Sequence, residues 1–152
     1  MECDRTDTIG PVTEATGTAP LRVCVYSDDR HTREKVMLAL GKRPHPDLPP
    51  IEYVECATEP VVIATMDGGD IDLAILDGEA VPAGGLGIAR QLKDEIYRCP
   101  PLLVLTGRHD DAWLGVWSRA DATVRHPIDP VALAETVTRL VVERRRAIPT
   151  TR

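Results

Sequence analysis

From Leu21 onward the chain alternates between short, almost continuously apolar runs and longer stretches in which apolar residues recur at helical spacing. The runs are "LRVCVYS", "IEYVECA", "DLAILD", "PLLVLTG" and the weaker "ATVRHP", each bounded by turn or helix-start residues. Apolar positions on both alternating faces predict strands that are covered on both sides. Between them, "DRHTREKVMLALG" closes on Gly41, a residue suited to the position just past a helix. "LGIARQLKDEIYR" repeats apolar residues at Leu86, Ala89, Leu92 and Ile96. After the last run, Asp129 can cap and Pro130 can open a helix whose Leu133, Val137, Leu140 and Val141 fall on one stripe. Strands alternating with crossover helices predict a doubly wound parallel α/β sheet.

Right-handed crossovers leave few topologies for five βα units, and a flavodoxin-like strand order, 2-1-3-4-5, is the one expected over residues 21–144. Residues 1–20 are rich in Thr, Gly and Pro without periodicity, and 145–152 close on "AIPTTR"; both are expected to be disordered or flexible tails. "GKRPHPDLPP" reads as a surface loop, and its His45 as a loop residue before a metal ligand. With 43% apolar residues in 152, the domain can build a core without staples. A formal charge of −6 argues against a nucleic-acid surface, and the "ERRR" run is too short to overturn that. The opening residues contain no apolar segment, so neither a signal nor a membrane insertion is expected and the chain should remain cytoplasmic. Cys3, Cys24, Cys56 and Cys99 lack C-x-x-C spacing and are expected to be free thiols, those inside strands buried.

Ligands of open α/β sheets gather beyond the carboxyl ends of the strands. There stand Asp28 and Asp29 after the first run, Asp77 after the third, Thr106 after the fourth, and Arg125 and His126 at the fifth. Three neighbouring carboxylates repel one another unless a cation lies among them, and magnesium suits carboxylate and phosphoryl oxygens. Asp77 would then act as a nucleophile that accepts a phosphoryl group. His126 is expected to face that group, with Arg125 on the opposite face of the strand. Simpler readings exist for each residue. Asp28 and Asp29 suit a helix cap, Asp77 a turn, and Thr106 a cap for a helix beginning near Asp110 or Asp111. "GGLGIA" reads as a flexible turn before a helix, His109 as a solvated helix start, and Trp113 and Trp117 as packing residues before a partner patch.

The ordered set resembles the receiver domain of two-component response regulators: "DD" after strand one, a lone acid after "LAIL", a hydroxyl after "LLVL" and a basic residue before Pro127. The resemblance implies that Asp77 is the phosphoacceptor. It also implies a weak magnesium site of Asp28, Asp29 and Asp77 with the backbone carbonyl of Glu79. Thr106 matches the hydroxyl switch residue and, with His126, would contact phosphoryl oxygens. A histidine kinase or phosphotransfer protein would be the donor and an unknown protein the output. Trp113 and Trp117 would belong to a partner surface, and homodimerisation would use helix four, strand five and helix five. Two positions depart from the family pattern: His126 stands where it has lysine, and Thr123 where it has an aromatic residue. The chain is thus expected to be a phosphoacceptor with at most slow self-dephosphorylation, or else a pseudo-receiver that docks without phosphorylation. A small aspartate-nucleophile phosphatase is the alternative of another class, but "SDDR" lacks its D-x-D pattern.

Overall fold

A computed structural model describes residues 19–107 and 112–147. Cys3, Arg108 to Asp111 and the last five residues therefore lie outside the described residues, as does nearly all of the expected amino-terminal tail. The elements are β1 (Leu21–Tyr26), α1 (Arg30–Leu40), β2 (Ile51–Cys56), α2 (Glu59–Asp67), β3 (Leu73–Asp77), α3 (Gly85–Glu95), β4 (Leu102–Thr106), α4 (Ala112–Ser118), β5 (Ala122–Arg125) and α5 (Pro130–Ala147). The sheet is parallel throughout and ordered β2-β1-β3-β4-β5, as the alternation of elements implied. The last helix runs on to Ala147, so the boundary expected at 144 falls within its final turn. That turn carries Arg144, Arg145 and Arg146, cations suited to a helix carboxyl end.

Every residue of β3 and β4 is buried, which explains their unbroken apolar runs. On one face Val23, Val25, Leu73, Ile75, Leu103 and Leu105 pack with Val36 and Leu40 of α1 and with the α5 stripe of Leu133, Val137, Leu140 and Val141. On the other, Cys24, Tyr26, Ala74, Leu76, Leu102 and Val104 meet Val62 and Met66 of α2 and Ile88, Ala89 and Leu92 of α3. Each such aliphatic side chain contributes about 1.5–3 kcal/mol through burial.

The helix ends form largely as the sequence suggests. Gly41 adopts φ 65° after α1 and returns its N–H to the Met37 carbonyl. Asp129 accepts the Val131 N–H at 3.0 Å ahead of α5. Helix α3 differs: its buried stripe is Ile88, Ala89 and Leu92, while Ile96 lies beyond the helix with extended backbone (φ −104°). His45 accepts the Asp47 N–H at 3.1 Å within its loop. At the amino-terminal edge of the sheet, Asp121 receives Lys93 at 2.7 Å and the Leu102 N–H at 2.8 Å.

The glycine doublet before α3 is more than a flexible turn. A Cβ on Gly85 would stand 2.9 Å from the carbonyl oxygen of Asp77, and one on Gly84 2.9 Å from that of Gly78. The start of α3 is thus pressed against the backbone at the end of β3, and only glycine permits that approach. Gly87, two residues on, has nothing within 4 Å of such a Cβ. Gly85→Ala should therefore destabilise the fold by about 1–3 kcal/mol through overpacking. Gly87→Ala should stabilise it by about 0.5–1 kcal/mol by relieving a helical glycine. Urea unfolding of the two variants tests the contrast; equal effects would refute the close approach.

Candidate functional site

The register of the sheet decides what surrounds Asp77. Tyr26 pairs with Leu76, so one step further along the two strands Ser27 stands beside Asp77. On the other side, Asp77 pairs with Leu105 and Thr106 with Arg125, which brings His126 to the same edge. Asp77 is only 4% exposed. Its Oδ2 accepts the Ser27 hydroxyl at 2.8 Å and its Oδ1 the backbone N–H of Glu79 at 2.9 Å. His126 Nε2 lies 3.3 Å from Oδ1, longer than an ideal hydrogen bond, and 3.8 Å from Glu79 Oε1. A carboxylate only accepts, so Nε2 is the protonated ring nitrogen in that contact.

Each of these partners is itself held. Ser27 is fully buried; its N–H donates to the Cys56 carbonyl at 3.2 Å and its hydroxyl oxygen accepts the Asp29 N–H at 3.0 Å. Arg33 reaches back from α1 to the Ser27 carbonyl at 2.6 Å while pairing with Glu55 at 3.0 Å. The His126 N–H donates to the Thr106 carbonyl at 2.9 Å, and a cis peptide joins His126 to Pro127.

The site therefore gathers Asp77, Glu79, His126 and buried Thr106, but not the acid pair as expected. Asp29 is the cap of α1: its carboxylate accepts the His31 N–H at 2.9 Å and the Thr32 hydroxyl at 3.4 Å. Asp28 turns over the β3–α3 connection, where Oδ1 accepts the Val81 N–H at 3.2 Å. Glu79 offers Asp77 its N–H. The reason is register: the β1 residue facing Asp77 is a serine, and the acids follow it out of the sheet. Among the described residues no group of three or more His, Cys, Asp or Glu side chains is placed to hold a metal ion. The three acids expected to hold magnesium thus do not converge, and magnesium takes several carboxylate oxygens in an octahedron. Ser27 and Arg33 were not singled out from sequence; counting register back from Asp77 would have found Ser27.

The aromatic pair of α4 also departs from the expectation of packing. Trp113 is 61% and Trp117 43% exposed, with Val116 exposed between them. The Arg90 guanidinium lies 5.1 Å from the centre of the Trp117 ring and donates to the Trp117 carbonyl at 2.7 Å. Thr123 of β5 packs beneath this helix: a Cβ on Gly115 would come 3.2 Å from its methyl carbon. Among the described residues no helix is long and apolar enough to cross a membrane.

No family model matches the chain. A response regulatory protein of Mycobacterium tuberculosis is 66% identical over 121 residues, covering 80% of this chain and 91% of that protein, and the corresponding protein of a second strain matches equally. Among solved structures, a CheY-like response regulator receiver domain protein from Methanospirillum hungatei superposes with a TM-score of 0.68 at 17% identity. That alignment covers 86% of this chain and 100% of the other. A receiver domain protein from Clostridium thermocellum gives 0.68 at 19% identity, over 84% and 99% of the two chains.

Two outcomes test this geometry. Ser27→Ala leaves a buried carboxylate oxygen without its donor and should cost about 1–3 kcal/mol of stability in urea unfolding; no loss would remove Ser27 from the site. The Asp29 carboxyl is held below its ordinary value of 3.8, chiefly by the His31 N–H. The folded state thus favours the ionised form, whose stabilisation is present above that value and is lost as pH falls through the folded one. Asp29→Ala should be less stable than the wild type at neutral pH, and the gap should close in acid. A gap independent of pH would contradict the capping role.

Proposed function

The chain belongs to the response regulatory proteins and has the receiver-domain fold, and we propose that it serves signalling as a docking module whose Asp77 site is held in one state by the chain itself. The observation that supports this is the Asp77 carboxylate, with Oδ2 bound by the Ser27 hydroxyl and Oδ1 by the Glu79 N–H and faced by His126. Accepting a phosphoryl group requires a free carboxylate oxygen and positive charge to offset the incoming oxygens. Here each oxygen already accepts a donor from the chain, and the acids that would gather a cation are spent on a helix cap and a loop N–H. In this reading the donor-side partner, a histidine kinase or phosphotransfer protein, is bound rather than used as a phosphoryl source.

Output then falls to contacts of the surface made by α4, β5 and α5. Trp113, Val116 and Trp117 supply exposed apolar area there, and aromatic residues are enriched at such contacts. With threonine at 123 beneath Gly115, that position carries no bulky ring to swing between states. A second reading keeps Asp77 as phosphoacceptor. It is favoured by His126, whose imidazole stands at the site's edge where it can donate to an anionic oxygen.

Treatment with acetyl phosphate and magnesium, read by intact mass and peptide mapping, separates the two. The wild type should remain unlabelled. The double variant Ser27→Asp, His126→Lys, which places an acid beside Asp77 and a longer cation opposite, should gain magnesium-dependent label at Asp77, and adding Asp77→Asn should abolish it. Label on Asp77 of the wild type, absent in Asp77→Asn, would establish the second reading and sink the first.

A further inference from the structure

Two thiols lie under α2, next to the Asp77 site, whose Ser27 donates its N–H to the Cys56 carbonyl. Cys24 in β1 and Cys56 at the end of β2 are free, 0% and 1% exposed, and their sulfur atoms are 3.5 Å apart. They sit on adjacent parallel strands two positions out of register, since Cys24 pairs with Val54 and Cys56 with Tyr26. The Thr65 hydroxyl of α2 lies 3.7 Å from the Cys56 sulfur. The surroundings divide the two thiols by role. Cys56 is drawn down to about 7, first by the hydrogen bond with Cys24 and further by Thr65 and the charge of Arg33. Cys24 is driven upward by the same bond and by burial. The Thr65 hydroxyl and the charge of Arg33 favour the thiolate on Cys56 over its neighbour. Cys99, half-buried before β4 and packed against the edge of the same core cluster, is pushed up by burial.

We propose that Cys24 and Cys56 are a peroxide-oxidised thiol pair, in which Cys56 attacks and Cys24 resolves to a reversible disulfide. The Cys56 thiolate attacks one oxygen of a hydroperoxide: an S–O bond forms, the O–O bond breaks, and hydroxide or alkoxide leaves. The Cys24 sulfur then displaces the hydroxyl of the sulfenic acid: S–S forms, S–O breaks, and water departs with the proton that Cys24 supplied. Two thiols are oxidised, and one hydroperoxide is reduced to water and an alcohol, or to two waters when it is hydrogen peroxide. The sulfurs must close from 3.5 Å to about 2 Å, and because the two residues are offset by two positions the backbones of β1 and β2 must also draw together. Both sulfurs are covered by α2, a nine-residue helix whose Thr58 makes no side-chain cap, so the reaction requires local opening of this cover to a molecule as small as hydrogen peroxide.

The test uses the full chain and hydrogen peroxide. After exposure, remaining thiols are alkylated under denaturing conditions and the protein is mapped without reduction. A Cys24–Cys56-linked peptide pair, released by dithiothreitol, is expected. With dimedone present during oxidation, Cys24→Ser should accumulate an adduct at Cys56 severalfold above that at Cys24 in Cys56→Ser. If either serine variant misfolds, the wild-type map alone decides. Alkylation of both Cys24 and Cys56 after peroxide has oxidised Cys99, or linkage of either to another cysteine instead, would overturn the assignment; equal dimedone adducts would overturn the division of roles.

Discussion

Burying Asp77 at the end of a central strand obliges the chain around it to answer both carboxylate oxygens, and much of the local architecture follows from that requirement. The answer comes from three separate segments: the residue after β1, the turn after β3 and the residue after β5. Each is held in turn by backbone hydrogen bonds to a neighbouring strand or helix, so the carboxylate is fixed by the sheet as a whole rather than by one loop. The glycine doublet at the start of α3 belongs to the same solution, because it lets the helix close over the peptide that carries Asp77.

The fold was legible in the chain because burial on both faces leaves a strong trace. β3 and β4 are buried at every position, and runs this short, four apolar residues before a polar one, suit strands rather than helices. Strand order followed from the alternation of elements. The site was legible only to the level of which strand ends contribute. Asp77, Thr106 and His126 were found because each directly terminates or follows a strand. Asp29 was misjudged because adjacent acids in a connection look equivalent in sequence, whereas a single step of register decides which residue faces inward and which caps a helix. Such a step carries no compositional signal when the inward residue is a serine.

The tryptophans show a second limit. Their spacing of four places both on one side of α4, but spacing alone does not say whether that side faces core or solvent. Here the core beneath α4 is served by small groups, Gly115 against the Thr123 methyl and the fully buried Ser118, whose hydroxyl returns to the Gly115 carbonyl at 2.7 Å. The rings are left outside, one of them shelved against Arg90.

Ser27 deserves a mechanical reading. Its single hydroxyl accepts from the first turn of α1 through Asp29 N–H and donates to Asp77, so the two contacts act in series. Pull on one end is felt at the other: a protein gripping the first turn of α1 from outside would tug on Asp29, rotate the hydroxyl and slacken the hold on a carboxylate it never touches. The receptor end of this linkage is exposed at His31 and Arg30, and its far end is buried.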